Sequence, residues 1–191
     1  MFGDIMNFKD KLKLEGWYLI NDPKRVKRHI KQFLHILKLE ETEYYDEFDK
    51  YYKTLDVKDK LVVDLGSDIG ASPMYFINNG ANTVIGFSKE KAYFHNKNYI
   101  HVFYSEFYKN TVKEIVEYFS VFSISSVLKV DCEGCEWELS KDFIEQFKDW
   151  IIAVHNPIKN KELFEYITEN GNLIGKPEGS EFGIYQKKKG E

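Results

Sequence analysis

Hydrophobic positions in this chain fall into short β-branched runs separated by segments of helical spacing. Leu61-Val62-Val63, Thr83-Val84-Ile85-Gly86-Phe87, Tyr99 to Tyr104, Ser126 to Val130 and Trp150 to His155 each read as a buried strand. Ser72 to Asn79 is predicted to be a helix, with Ser72 as its N-cap, Pro73 at the first helical position and Gly80 as its stop. Helical spacing recurs over Thr111 to Phe119, Asp142 to Phe147 and Lys161 to Glu169, with Gly171 ending the last; a short helix is expected over Lys89 to Asn98. Asn172 to Gly175 and Phe182 to Gln186 flank Pro177-Glu178-Gly179 and read as an antiparallel pair. Strands alternating with helices predict an α/β fold, its sheet mostly parallel with an antiparallel edge. The first βαβ unit should cross over right-handed.

The segment before Leu61 has a different pattern. Asp22-Pro23 is a helix start, and Val26, Ile30, Phe33, Leu34 and Leu37 then recur at helical spacing. A second helix is expected over Glu41 to Leu55, where tyrosines alternate with acids. The core from Leu61 to Gln186 already accounts for a whole sheet. Residues 1–58 are therefore expected to be a helical extension capping its carboxyl-end face, and residues 59–191 the sheet domain.

Composition narrows the class. The chain has 191 residues, 43% of them hydrophobic, enough for one sizeable core. A net charge of −4 argues against a nucleic-acid partner; the Lys24–Lys31 helix is the one segment that could supply a basic face. No run reaches the length of a membrane span and no signal-peptide core is present, so a cytoplasmic protein is expected. Two cysteines, Cys132 and Cys135, exclude a disulfide framework and are too few for a structural zinc site. They are expected to serve packing.

Two stretches carry candidate chemistry. The first is Asp64-x-Gly66-Ser67-Asp68-x-Gly70, a glycine turn between strand and helix, where α/β sheets bind nucleotides. Its spacing is neither that of a dinucleotide-binding turn nor that of a P-loop. The second is Val127 to Leu139, in which Asp131 and Glu133 sit at the carboxyl end of a strand and His155 at the end of the next. Paired carboxylates repel, so one can act as acid or base. The plainer reading is a ligand-free glycine turn and two carboxylates that solvate or cap a helix start.

Together these stretches resemble the FkbM-like family of S-adenosylmethionine (SAM)-dependent methyltransferases. VVDLGSDIGASPMYFINNGANTVIGF is similar to the family's first motif, and LKVDCEGCEWEL to its second, with Lys129, Asp131, Glu133, Gly134, Glu136 and Trp137 in register. The resemblance covers roughly residues 58 to 187 and implies a Rossmann-like, class I methyltransferase fold with a mostly parallel seven-stranded sheet. It implies SAM as cofactor, held by Asp64, Gly66, Ser67, Asp68, Gly70, Phe87, Ser88, Glu90 and Asp131. O-methyl transfer to a small-molecule or glycan hydroxyl is then expected; Asp131, Glu133 and His155 are the candidate bases by their places at the carboxyl ends of adjacent strands, the two acids ahead of the histidine, and no metal is called for. Three positions depart from the family. Ser88 stands in place of the acid expected to accept from ribose, with Glu90 two residues later; Ala71 and Ala153 also replace common acids. The departures keep two alternatives open: a domain that has lost the reaction and acts as a binding module, and a nucleic-acid methyltransferase.

Overall fold

The chain divides into two units, residues 1–43 and residues 44–191. The computed structural model describes residues 44–67, 70–89, 96–103, 126–156, 159–176 and 183–189. The helices expected from Asp22, over Lys89 to Asn98 and over Thr111 to Phe119 fall wholly or mainly outside these residues. The second unit opens earlier than the boundary at residue 58 would place it. Its first helix, α1 (Tyr44–Tyr52), and the turn after it bury Tyr51, Tyr52, Leu55 and Val57 in the sheet domain's core. These residues belong to the fold rather than to an appendage.

Seven strands follow: β1 (Leu61–Leu65), β2 (Thr83–Ser88), β3 (Tyr99–Phe103), β4 (Ser126–Val130), β5 (Asp149–Val154), β6 (Gly171–Gly175) and β7 (Gly183–Lys187). They form one sheet in the order β3-β2-β1-β4-β5-β7-β6. β1 pairs in parallel with both β2 and β4, and β2–β3 and β4–β5 are also parallel. β7 is antiparallel to β5 and to β6. The C-terminal hairpin is therefore present, but its second strand enters the sheet beside β5 and leaves β6 at the edge.

Side chains alternate across this sheet with the period of two that strands impose. Leu61, Val63, Leu65, Ile85, Phe87, Leu128, Val130, Trp150 and Ile152 point to one face. There they pack against a 3-10 turn (Cys135–Glu138), α3 (Lys141–Glu145) and α4 (Lys161–Asn170), through Trp137, Phe143, Ile144, Leu163 and Ile167. Val62, Val84, Val127, Ile151 and Ala153 point to the other face, which α1 and α2 (Ala71–Asn78) cover with Tyr51, Tyr52, Tyr75 and Phe76. The central strands are buried on both faces and so read as continuous apolar runs. Tilted ring pairs, Phe48–Tyr75 and Tyr52–Phe76, each with centroids 5.7 Å apart, join α1 to α2.

One helix start differs from expectation, and one helix end meets it. α2 begins at Gly70 in the left-handed region (φ 102°), and Ser72 lies inside the helix, its hydroxyl drawn away to a buried carboxylate. Gly171 ends α4 in an extended conformation and starts β6. A Cβ there would lie 2.6 Å from the Ile167 carbonyl oxygen and 2.8 Å from the Trp150 ring, so packing demands the glycine. Among the described residues no helix is long and apolar enough to cross a membrane.

Candidate functional site

Strand order reverses between β1 and β4. The carboxyl ends of these two strands form the switch point at which open α/β sheets bind ligands. On the β1 side lies Asp64, fully buried. Its Oδ1 faces Lys129 Nζ at 2.9 Å and its Oδ2 accepts from Ser72 Oγ at 2.5 Å. Asp64 and Lys129 are register partners on adjacent strands, so the pairing that builds the sheet also brings the charges together. Lys129 Nζ donates onward to the Gly66 carbonyl at 2.7 Å and lies 5.9 Å from the centre of the Tyr52 ring. Burial pushes the Asp64 carboxyl above its ordinary range; Lys129 and Ser72 pull the other way without cancelling it.

The glycine turn is built against its own chain. A Cβ on Gly66 would lie 1.7 Å from the Asp131 carbonyl oxygen, and Gly66 holds φ 86°. The amides of Gly66 and Ser67 both donate to the Phe87 carbonyl at the end of β2, and that of Gly70 to the Ser67 carbonyl. Ser67 is buried beneath Gly86 and Tyr99. Of the residues the resemblance assigns to the cofactor, Asp64, Ser67 and Phe87 thus have buried side chains in the fabric of the sheet. Ser88 ends β2 and is also buried. Gly66, Gly70 and Asp131 lie along the switch point. Asp68 and Glu90 lie outside the described residues.

The β4–β5 side is open. Asp131, Glu133 and His155, expected as candidate bases, come together although β4 and β5 deliver them separately. His155 Nε2 lies 3.5 Å from Asp131 Oδ1 and 3.6 Å from Glu133 Oε1. The Asp131 and Glu133 side chains are 37% and 86% exposed. Tyr52 of α1 donates to Asp131 Oδ2 at 3.2 Å. Glu133 holds a left-handed backbone, φ 54°, followed by Gly134 at φ 118°. This turn carries Asp131 into the 3-10 segment and places the Cys132 and Cys135 Cα atoms 5.4 Å apart, within disulfide reach. The two cysteines are bonded to each other, which corrects the expectation that they only pack: the reversal at Glu133-Gly134 folds the pair together.

The residue that organises this side is Glu136. Its side chain is fully buried. Oε1 accepts from the His155 amide and faces His155 Nδ1, each at 3.0 Å; Oε2 accepts from the Gly134 amide at 2.8 Å. Burial alone would push the Glu136 carboxyl up, but the bonds from His155 and the local amides hold it below its ordinary range. The hydrogen bond to Glu136 raises the His155 imidazole above its ordinary value against the effect of burial, with Glu133 and Asp131 adding to the rise. Glu136 orients the ring through Nδ1 and turns Nε2 toward the two exposed carboxylates. The arrangement can hold or move a proton at Nε2, and it can hold a cation. Sequence reasoning placed Glu136 in a motif without a role; its position between Cys135 and Trp137 was the available signal. Tyr52 was one of many tyrosines, and nothing in the pattern singled it out.

Comparison with known proteins finds viral relatives. The chain is 35% identical over 120 residues to uncharacterized protein 158B of Sulfolobus islandicus rod-shaped virus 1, covering 62% of this chain and 75% of that protein. It is 27% identical over 142 residues to uncharacterized protein 65 of Sulfolobus islandicus filamentous virus (isolate Iceland/Hveragerdi), covering 68% and 86%. No family model matches. Among solved structures, a Plasmodium falciparum protein conditionally described as a ribosomal RNA methyltransferase aligns with a TM-score of 0.48 at 18% identity, covering 75% of this chain and 92% of that one.

Proposed function

We propose that this chain, which belongs to one family with protein 158B of Sulfolobus islandicus rod-shaped virus 1, is a SAM-dependent methyltransferase that acts on an oxygen of a small-molecule or glycan acceptor. One observation carries the reading: a proton-handling group, His155 backed by the buried Glu136, stands with Asp131 and Glu133 where the strand order reverses. The stretches that resemble the motifs of FkbM-like methyltransferases lie on these same turns.

The residues present fit SAM at its positively charged end. When bound, SAM supplies a methyl group activated by a sulfonium cation. Asp131 and Glu133 would offer negative charge to the cation at the edge of β4. Toward β2 the polar group at the strand end is Ser88, which brings one hydroxyl where a carboxylate would bring two charged acceptors. His155 would take the acceptor proton at Nε2, with Glu136 stabilising the imidazolium. Tyr52 steadies Asp131 and ties α1 to the acceptor side of the site.

Calorimetric titration with SAM and with its demethylated product tests the reading. Binding of either, with a matching rise in melting temperature, is expected, because a ligand that binds only the folded state stabilises it. No heat and no thermal shift at millimolar ligand would overturn it.

A further inference from the structure

We infer that Asp131, Glu133 and His155 are a binding site for one divalent first-row transition cation. With the ion bound, His155 Nε2 is a ligand, so the ion and not the imidazole would acidify the acceptor hydroxyl; that role rests on the methyltransferase reading, the site itself does not.

The geometry comes first. One oxygen from each carboxylate and one nitrogen of His155 lie within 4.8 Å of one another. Two ligands held at about 2.1 Å from a tetrahedral ion are about 3.4 Å apart. The Nε2 separations of 3.5 and 3.6 Å match that spacing with little movement. Three protein ligands leave at least one position for water or substrate, the pattern of catalytic rather than structural metal sites. The exposed flank at Glu133 provides the way in.

The surroundings are built as a metal ligand requires. Metal-binding imidazoles give their second nitrogen to a carboxylate or carbonyl, which sets ring orientation and raises donor strength. Glu136 does this for His155 through Nδ1 at 3.0 Å. It is itself anchored on both oxygens by the His155 and Gly134 amides, so the ring cannot drift. Glu133 is presented from a fixed turn, closed on either side by the Cys132–Cys135 bond. Charge points the same way. Three carboxylates, Asp131, Glu133 and Glu136, surround one imidazole, and among the described residues His155 is the sole ion-pair partner of the first two.

The ligand set selects the class of ion. Magnesium prefers oxygen ligands and retains several waters. An imidazole with two carboxylates favours manganese, iron or zinc. In methyl transfer such an ion would coordinate the acceptor oxygen and lower its pKa.

The test uses the full chain, stripped with chelator. Manganese(II) is titrated by electron paramagnetic resonance and zinc(II) by calorimetry, with magnesium as comparison. One equivalent of each transition ion should bind. Glu133→Gln, at an exposed position, should weaken binding at least tenfold without changing the melting temperature of the metal-free protein. His155→Ala should abolish binding. Binding should survive iodoacetamide treatment of the unreduced protein, which keeps the Cys132–Cys135 bond and blocks any free thiol. Failure of both ions to bind, indifference to Glu133→Gln, loss after iodoacetamide treatment of the unreduced protein, or preference for magnesium would each overturn the site. SAM titrated separately distinguishes the two readings. SAM binding without metal binding removes the site alone; metal binding without SAM binding keeps the site and removes the methyltransferase.

Discussion

At the carboxyl end of β1, Asp64 and Lys129 face each other in the interior, their exposures 0% and 3%. Two residues further along β4's chain, Asp131 meets solvent beside Glu133 and His155. Both clusters contain carboxylates and one nitrogen base, and both sit at the switch point. They differ in what surrounds them. The buried pair has its charge balanced by Lys129, Ser72 and the Gly66 carbonyl, and it holds β1, β4 and α2 together. The open cluster has an excess of negative charge, and only its innermost member, Glu136, is locked. Burial with full partnering makes a charge structural; partial exposure with an unbalanced charge leaves it available to a ligand.

Breaking each side separately sharpens that contrast. Gly66→Ala should be the most damaging change, because a Cβ would collide with the Asp131 backbone and the φ is left-handed. A loss of about 4 kcal/mol or more, or failure to fold, is expected in denaturant titration. Lys129→Met leaves Asp64 buried without its counter-charge and should cost about 3–5 kcal/mol, whereas Lys129→Met combined with Asp64→Leu should recover most of it. If the double variant is no better than the single, the two charges are not coupled.

Smaller effects are expected on the open side. Replacing Cys132 and Cys135 by serine opens a four-residue loop and should cost about 2 kcal/mol by chain entropy. A cost near zero would mean that the turn holds without the bond. Tyr52→Phe removes the donor to Asp131 and should cost about 1 kcal/mol or less in stability. Glu133→Gln should change stability by less than about 0.5 kcal/mol, since the side chain projects into solvent. A large loss there would show that the open cluster is structural too.

The sequence alone determined the strands and their company. Runs such as Leu61-Val62-Val63 and Trp150-Ile151-Ile152 are apolar because both faces of the sheet are covered, and this local signal survives any choice of neighbours. The same holds for Gly80, and for Asp131 and His155 as residues at strand ends, because strand direction already decides which edge they occupy. What lay between strands in space was not legible. That Lys129 belongs to Asp64 depends on the register of β1 against β4, which no local pattern encodes. Gly66 looked like room for a ligand, and it is room for the Asp131 backbone, a neighbour 65 positions away in the chain. Glu136 appeared as a motif position without a role; only the packing of the 3-10 turn against the end of β5 buries it and gives it His155. Tyr52 became part of the site when α1 packed on α2 rather than standing outside the domain. Local pattern sets which residues are buried and which edge they reach, since burial follows side-chain periodicity. Tertiary structure decides which charges meet, because long-range register and packing choose the partner.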